Sequence, residues 1–253
     1  MKKIFGTATF ALLLGLCWLL PAQAADSEGI ARVALITPKE GHSDALVKAI
    51  TDYHKWMANF EGHMEYQWFA ITAGQATGKF IARTGGHNWA DFDAKHDWSE
   101  ESDAVFERNI SPHVQSVEIW YTQEMPEYSH LPEDMTGYTH FYVEDWYVQP
   151  GMNGKFRRDL KKIVDTLKAG GFTGYWRFAS VEVGGHGGQI QLVTPNRGWA
   201  GMSEKDPSFY SIVSEALGGP EAFEALMSDW GATFKVGESR MVEWMPEASD
   251  YGE

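Results

Sequence analysis

The sequence predicts an α+β fold in which two tandem βαββαβ units pack sheet to sheet as one intramolecular barrel. Two observations lead there. Residues 30–131 and 138–253 lie on one another at a nearly constant offset, as two diverged copies of one unit. Gly62-His63-Met64-Glu65-Tyr66-Gln67-Trp68-Phe69 falls on Gly171-Phe172-Thr173-Gly174-Tyr175-Trp176-Arg177-Phe178, Trp89-Ala90 on Trp199-Ala200, and Met125-Pro126-Glu127 on Met245-Pro246-Glu247. A period above one hundred residues marks a duplicated domain rather than a solenoid. The second observation is that hydrophobic periodicity switches between 2 and 3.6 in the same order in both copies.

In the first copy, residues 31–37 form a β-branched run ended by Pro38 and Gly41, which predicts a strand. Ser43 caps a segment whose Leu46, Ala49, Ile50, Tyr53, Met57 and Phe60 recur at helical spacing, and Gly62 stops it. Residues 63–72 and 79–83 read as a hairpin. Gly85-Gly86 leads into a helical region from Trp89 to about Asn109, with a break near Ser99, and residues 114–122 close the copy as a strand. The second copy repeats the order: a strand at 138–148, a helix with the stripe Phe156, Leu160, Ile163, Val164 and Leu167, a hairpin at 173–183 and 189–193, a helix at 220–231 and a strand at 235–244. Such a unit is ferredoxin-like, a four-stranded antiparallel sheet with helices on one face. The uncovered faces predict a barrel or sandwich, because each copy buries the sheet the other leaves open.

Lys2-Lys3, an apolar stretch at 4–20 and the small residues of Pro21-Ala22-Gln23-Ala24-Ala25 read as a secretory signal peptide. The expected organisation is a signal at 1–25, a first ferredoxin-like domain at 26–122, a linker at 123–137 and a second domain at 138–253. Cys17 is the only cysteine, so the processed chain has neither disulfides nor thiolate chemistry. The expected location is periplasmic or secreted, with no membrane association after cleavage. A formal charge of -14 argues against nucleic acid as a partner.

The stretch Gly86-His87-Asn88-Trp89-Ala90-Asp91-Phe92-Asp93-Ala94-Lys95-His96 opens a helical region on tryptophan and places histidine seven residues on. With the duplicated βαββαβ unit, it resembles the dimeric α+β barrel superfamily, and the first copy is similar to antibiotic-biosynthesis-monooxygenase-like domains. That resemblance implies a pocket between sheet and helices and an oxygenase-like activity without a cofactor. The superfamily also holds haem-dependent chlorite dismutases and members without known activity, so the fold alone does not choose the chemistry.

Trp89, Phe92 and His96 follow i, i+3, i+7 spacing, which puts His96 on the apolar face of its predicted helix, directed at the sheet. An imidazole there could move a proton near neutral pH, or simply fill the core with one hydrogen bond. Tyr66 and Trp68 share one face of their strand, with Tyr175 and Trp176 at the related place; such aromatics make a wall for a flat organic molecule or an ordinary core. The second copy has Asp206 where the first has His96. No helical histidine pair, phosphate-binding glycine loop or nucleophile elbow is present, and no metal or cofactor is expected. Gly184-Gly185-His186-Gly187-Gly188 reads as a flexible hairpin loop, poor support for an axial bond from His186 to haem.

The reading is an exported barrel protein that binds a small, partly aromatic molecule, mainly in the first half. His96 is the catalytic candidate, and Tyr66, Trp68, Trp89, Phe92, Tyr175 and Trp176 are the ligand contacts. A haem protein and a non-catalytic binding or assembly module are the alternatives, and the sequence leaves open whether copies form a homo-oligomer. N-terminal sequencing of the exported protein should start at Ala25 or Asp26. Retention of residues before Pro21, or a lipid on Cys17, would contradict the export reading.

Overall fold

The computed structural model describes residues 27–250, so the expected signal peptide lies outside them. The first half contains β1 (Ile30–Pro38), α1 (Ser43–Met57), β2 (Gln67–Ala73), β3 (Phe80–His87), α2 (Ser99–Asn109) and β4 (Val114–Glu124). The second contains β5 (His140–Val148), α3 (Asn153–Ala169), β6 (Arg177–Val183), β7 (Gln189–Asn196), α4 (Phe209–Leu217), α5 (Pro220–Gly231) and β8 (Phe234–Trp244). All eight strands form one closed antiparallel barrel in the order β1-β3-β2-β8-β5-β7-β6-β4, with β4 also bonded to β1. Each half thus supplies four strands, and β2 on β8 and β4 on β6 join them edge to edge.

Strand alternation divides the residues between two environments. Val33, Phe69, Ile71, Ile81, Val143 and Val242 meet inside the barrel. There Asp145 accepts from Arg240 at 2.9 Å and from Gln191 at 2.8 Å, and Glu124 faces Arg83 at 3.0 Å and Arg177 at 3.4 Å. The opposite faces carry the helices. In α1, Leu46, Ile50, His54 and Met57 make the buried stripe; in α3 it is Phe156, Leu160, Ile163, Val164 and Leu167. Each large apolar side chain so buried contributes about 1.5–3 kcal/mol.

The chain after each half crosses to the other. Following β4, Met125 N–H donates to Phe178 O at 2.9 Å, Ser129 Oγ accepts from Phe178 N–H at 2.9 Å, and His130 bridges to Trp176. Following β8, Met245 N–H donates to Trp68 O at 2.9 Å, Ser249 Oγ accepts from Trp68 N–H at 2.8 Å, and Asp250 N–H donates to Tyr66 O. The repeated Met-Pro-Glu is therefore a reciprocal clasp. It also sets the structural register: Trp68 corresponds to Phe178 and Tyr66 to Trp176. The sequence alignment of this stretch is one residue out, and in a strand that slip moves a side chain to the opposite face.

The structure corrects the expected elements in three places. The helix expected from Trp89 is a short 3₁₀ helix, Trp89–Asp93, that ends at an extended Ala94; α2 starts only at Ser99. His96 lies in the turn between them. Residues 63–66 lie outside β2 and 173–176 outside β6. The second half also carries one helix more than expected, since α4 occupies the place of α2 and α5 is an addition. The glycine-rich loop is a β6–β7 turn of close backbone approach. A Cβ on Gly184, at φ +82°, would lie 2.3 Å from Ile119 O, and one on Gly188, at φ +74°, would lie 2.7 Å from Val148 O.

A first half expressed alone, residues 26–131, would expose the inner faces of its sheet, two strand edges and the clasp acceptors. It should aggregate or unfold without a sharp transition; a monodisperse, cooperatively melting monomer would overturn the mutual dependence of the halves.

Candidate functional site

Between the first sheet and its helices lies a cavity of ≈ 440 Å³, within the range of small-molecule sites. Its floor is Arg32, Ala34 and Ile36 of β1 with Ala82 of β3, and Tyr53, His54 and Met57 of α1 form one wall. Phe92, His96 and Trp98 frame the opposite side. On β4 the floor is open to solvent, with Val117 and Ile119 exposed by 43% and 39%.

Divergence of the two halves explains why the room is here. The halves run 110 residues apart through the start of α2 and α4, as the starts of α1 at Ser43 and α3 at Asn153 show. At that offset Ala34 and Ala82 of the first half correspond to Glu144 and Leu192, while Tyr53, His54, Ser102 and Asp103 correspond to Ile163, Val164, Ile212 and Val213. The second half therefore closes as an apolar core. Its added α5 brings Trp230 against Trp146, Phe156 and Phe234, at ring-centroid separations of 4.9–5.9 Å.

His54 is the most constrained polar group at the cavity. It is 8% exposed, and its Nε2 accepts from Trp68 Nε1–H at 2.8 Å. Indole nitrogen only donates, so the proton of the neutral ring is on Nδ1, which donates to Asp250 Oδ2 at 2.8 Å. The same carboxylate oxygen accepts from Tyr66 N–H at 2.7 Å. Asp250 thus arrives on the clasp from the second half and fixes the ring, leaving it no free lone pair. Tyr53 and Ser102 share a 2.6 Å hydrogen bond at the wall. Burial raises the phenol pKa of both Tyr53 and Tyr66, which keeps their O–H groups protonated.

His96 is held differently. Its ring is stacked on Trp98 with centroids 4.7 Å apart and planes within 3°, and its backbone N–H donates to Ser99 Oγ at 3.1 Å. Gly62, at φ +76°, makes room for it: a Cβ there would sit 3.0 Å from His96 Cε1. Among the described residues no group hydrogen-bonds either ring nitrogen. His96 also borders a smaller cavity of ≈ 330 Å³ that includes His63, Thr84 and His87. Burial lowers the His87 pKa, so that ring is neutral at neutral pH, 2.6 Å from Thr84 Oγ1.

Of the residues singled out by sequence, Tyr66, Trp68, Phe92 and His96 come together at the cavity. His96 arrives through a turn, not on the helical face expected. Trp89 is 41% exposed and packs outside the lining on Phe92 and Tyr121. Tyr175 and Trp176 are in the other half, Tyr175 against His130 and Tyr138, Trp176 donating to Tyr128 O at 2.7 Å in the second core. Sequence reading passed over Arg32, His54 and Asp250. His54 follows Ile50 by four residues on the apolar stripe, a signal that was present; nothing local marks Asp250.

No family model and no curated relative matches the sequence. Solved structures do. A protein of Lactobacillus acidophilus NCFM described as a "putative monooxygenase" superposes with TM-score 0.52 at 8% identity, covering 86% of this chain and 94% of that one. An anthrone oxidase-like protein gives 0.50 at 9%, covering 89% and 94%. A mutant chlorite dismutase of Candidatus Nitrospira defluvii gives 0.52 at 9%, covering 88% and 93%. What these structures share with this chain is the fold, two βαββαβ units closed into one antiparallel barrel. At such identities the likeness carries architecture and not activity.

Haem, implied by the resemblance to chlorite dismutases, does not fit the second half, where Trp146, Phe156, Phe178 and Trp230 fill the space between sheet and helices. His140 packs on Trp199 and His186 on Tyr147 at the end of its loop. In the first half His54 has both nitrogens engaged. Among the described residues, no group of three or more histidine, cysteine or carboxylate side chains is placed to hold a metal ion.

Asp250→Ala would leave the Tyr66 N–H and the His54 Nδ1–H without an acceptor, at about 1–3 kcal/mol for each buried group. Chemical denaturation should show that loss. A variant as stable as the parent would mean that the clasp does not hold His54.

Proposed function

We propose that the first-half cavity binds a small, partly aromatic molecule and supports its oxygenation without a metal or organic cofactor, with His96 as the base. The observation that carries this reading is the free imidazole of His96 at the rim of an aromatic-walled cavity whose other histidine is fully committed. Tyr66, Trp68 and Phe92 offer ring faces and edges to a flat ligand. An imidazole with both nitrogens unengaged can take the proton of a phenolic O–H on the bound molecule, and the electron-rich phenolate so formed is oxidised by giving electrons to oxygen, which is the oxidant. The oxidase and monooxygenase descriptions of structures sharing the fold support the reaction class. The chain's export and its location in the periplasm or outside the cell belong to the same proposal, resting on the leader-like residues 1–25.

Mass spectrometry of protein purified from its own compartment should find a retained aromatic compound, and oxygen consumption should accompany its turnover. His96→Gln should abolish most of that turnover, by about 10²-fold or more for loss of a general base, while its melting transition stays within a few degrees. A well-folded variant with unchanged turnover would remove His96 from the site. A one-to-one haem complex with a histidine-ligated spectrum would favour the haem alternative.

A further inference from the structure

Four arginines lie on strands of the barrel, and three of them have carboxylate partners. Arg83 and Arg177 face Glu124 at 3.0 and 3.4 Å, and Arg240 faces Asp145 at 2.9 Å. Arg32, the third residue of β1, is the exception. The alternation of β1 turns it away from the barrel interior and onto the cavity floor, between Ala34 and Tyr66. Among the described residues no carboxylate stands within ion-pair distance of it. Its only polar contact there is a long one, Nη1–H donating to Tyr66 Oη at 3.5 Å.

The carboxylates that share the lining lie elsewhere on it. Asp91 is exposed and accepts from Asn88 N–H at 2.8 Å, and Asp103 is on the exposed turn of α2 beside Tyr53. A half-buried guanidinium bordered by Ala34, Ile119 and aromatic rings gains from an anion more than it would in open solvent, because the surrounding dielectric is low. Its fork of N–H donors matches the two oxygens of a carboxylate. Tyr66, already accepting from Arg32, retains its own O–H to donate. The corresponding residue of the filled second half is Tyr142, so the cation exists only where the cavity does.

We infer that the cavity selects an aromatic carboxylate, whose carboxylate oxygens pair with the Arg32 guanidinium and the Tyr66 hydroxyl while its ring lies among Trp68, Phe92 and the helix walls. This rests on the proposed ligand-binding role of the same cavity and names the chemical class of what it binds. The net charge of -14 gives the chain no general affinity for anions, so such selectivity would have to be local.

The test compares 2-naphthoate with its neutral analogue 2-naphthamide, titrated by calorimetry against the full exported chain and against Arg32→Gln and Arg32→Lys. Wild type should bind the carboxylate about tenfold or more tightly than the amide, as expected for a charge-assisted contact. Arg32→Gln should lose that preference through a selective loss of carboxylate affinity, while the amide still binds measurably. Arg32→Lys, which keeps the charge and loses the fork, should fall between them. Equal affinity of wild type for the two probes, or a preference that survives in Arg32→Gln, overturns the carboxylate inference and leaves the cavity reading standing. Failure of both probes to bind the folded wild type overturns both. Retention of amide binding in the variants shows that they have kept the cavity, and it separates loss of the anchor from loss of the fold.

Discussion

Two strand edges, β2 against β8 and β4 against β6, close the sheets into a ring, and the rest of the molecule depends on that closure. A four-stranded βαββαβ unit has helices on only one face, and alone it leaves both the other face and its two edges in water. Joining the edges turns two open faces into one interior, lined by Val33, Phe69, Ile81, Val143 and Val242, and leaves no strand without a neighbour on each side. The interior then has to accommodate what the strands bring with them, including Arg83, Arg177 and Arg240. Charged groups taken from water are held where partners meet them, and Glu124 and Asp145 do so. The clasp adds a second dependence, because the segment after each half completes the backbone hydrogen bonding of the other.

Closure by duplication also releases one half from the need to fill itself. In the second half α3, α4 and α5 press Phe156, Leu160, Val213 and Trp230 onto the sheet, and little of that core is polar. In the first half, the equivalents of Ile163, Val164 and Ile212 are Tyr53, His54 and Ser102, which must find hydrogen-bond partners instead of apolar contacts. Asp250, supplied across the clasp, satisfies the deepest of them. A change on the second-half tail can therefore disturb a site built almost wholly from the first half.

The fold was legible in the sequence because the repeat, the glycine and proline stops and the two periodicities all pointed to the same order of elements. The failures have particular causes. The stripe Trp89, Phe92, His96 satisfied helical spacing, yet Asn88 caps only a short 3₁₀ turn and Ala94 goes extended, so the spacing was met without the helix. Pairing Tyr66 with Tyr175 followed residue identity, whereas the clasp hydrogen bonds follow the backbone and set Tyr66 against Trp176. A polar residue on an apolar stripe, His54, was passed over for being polar, although position alone placed it in the core. Asp250 lies 196 positions from His54 in the chain, and only the closed barrel brings the two together.

The same asymmetry marks where the first half gives up packing that the second half keeps. Each pair of buried aliphatic side chains in α3 and α4 contributes a few kcal/mol to the second core, and the first half forgoes that at Tyr53, His54, Ser102 and Asp103 while leaving Val117 and Ile119 uncovered. Local departures of this kind, set in an otherwise consistent fold, collect at functional sites. Here the duplicate provides an internal reference: the same backbone, in the same barrel, with an apolar solution already present in the chain. The first half departs from that solution at the positions that make room, bring polar atoms to the wall and place an arginine on the floor. Polar and apolar residues also exchange between the halves inside the barrel, where Asp145 and Gln191 correspond to Leu35 and Ile81, but there the polar groups bond to one another and to Arg240, whereas the first-half changes between sheet and helices leave open space.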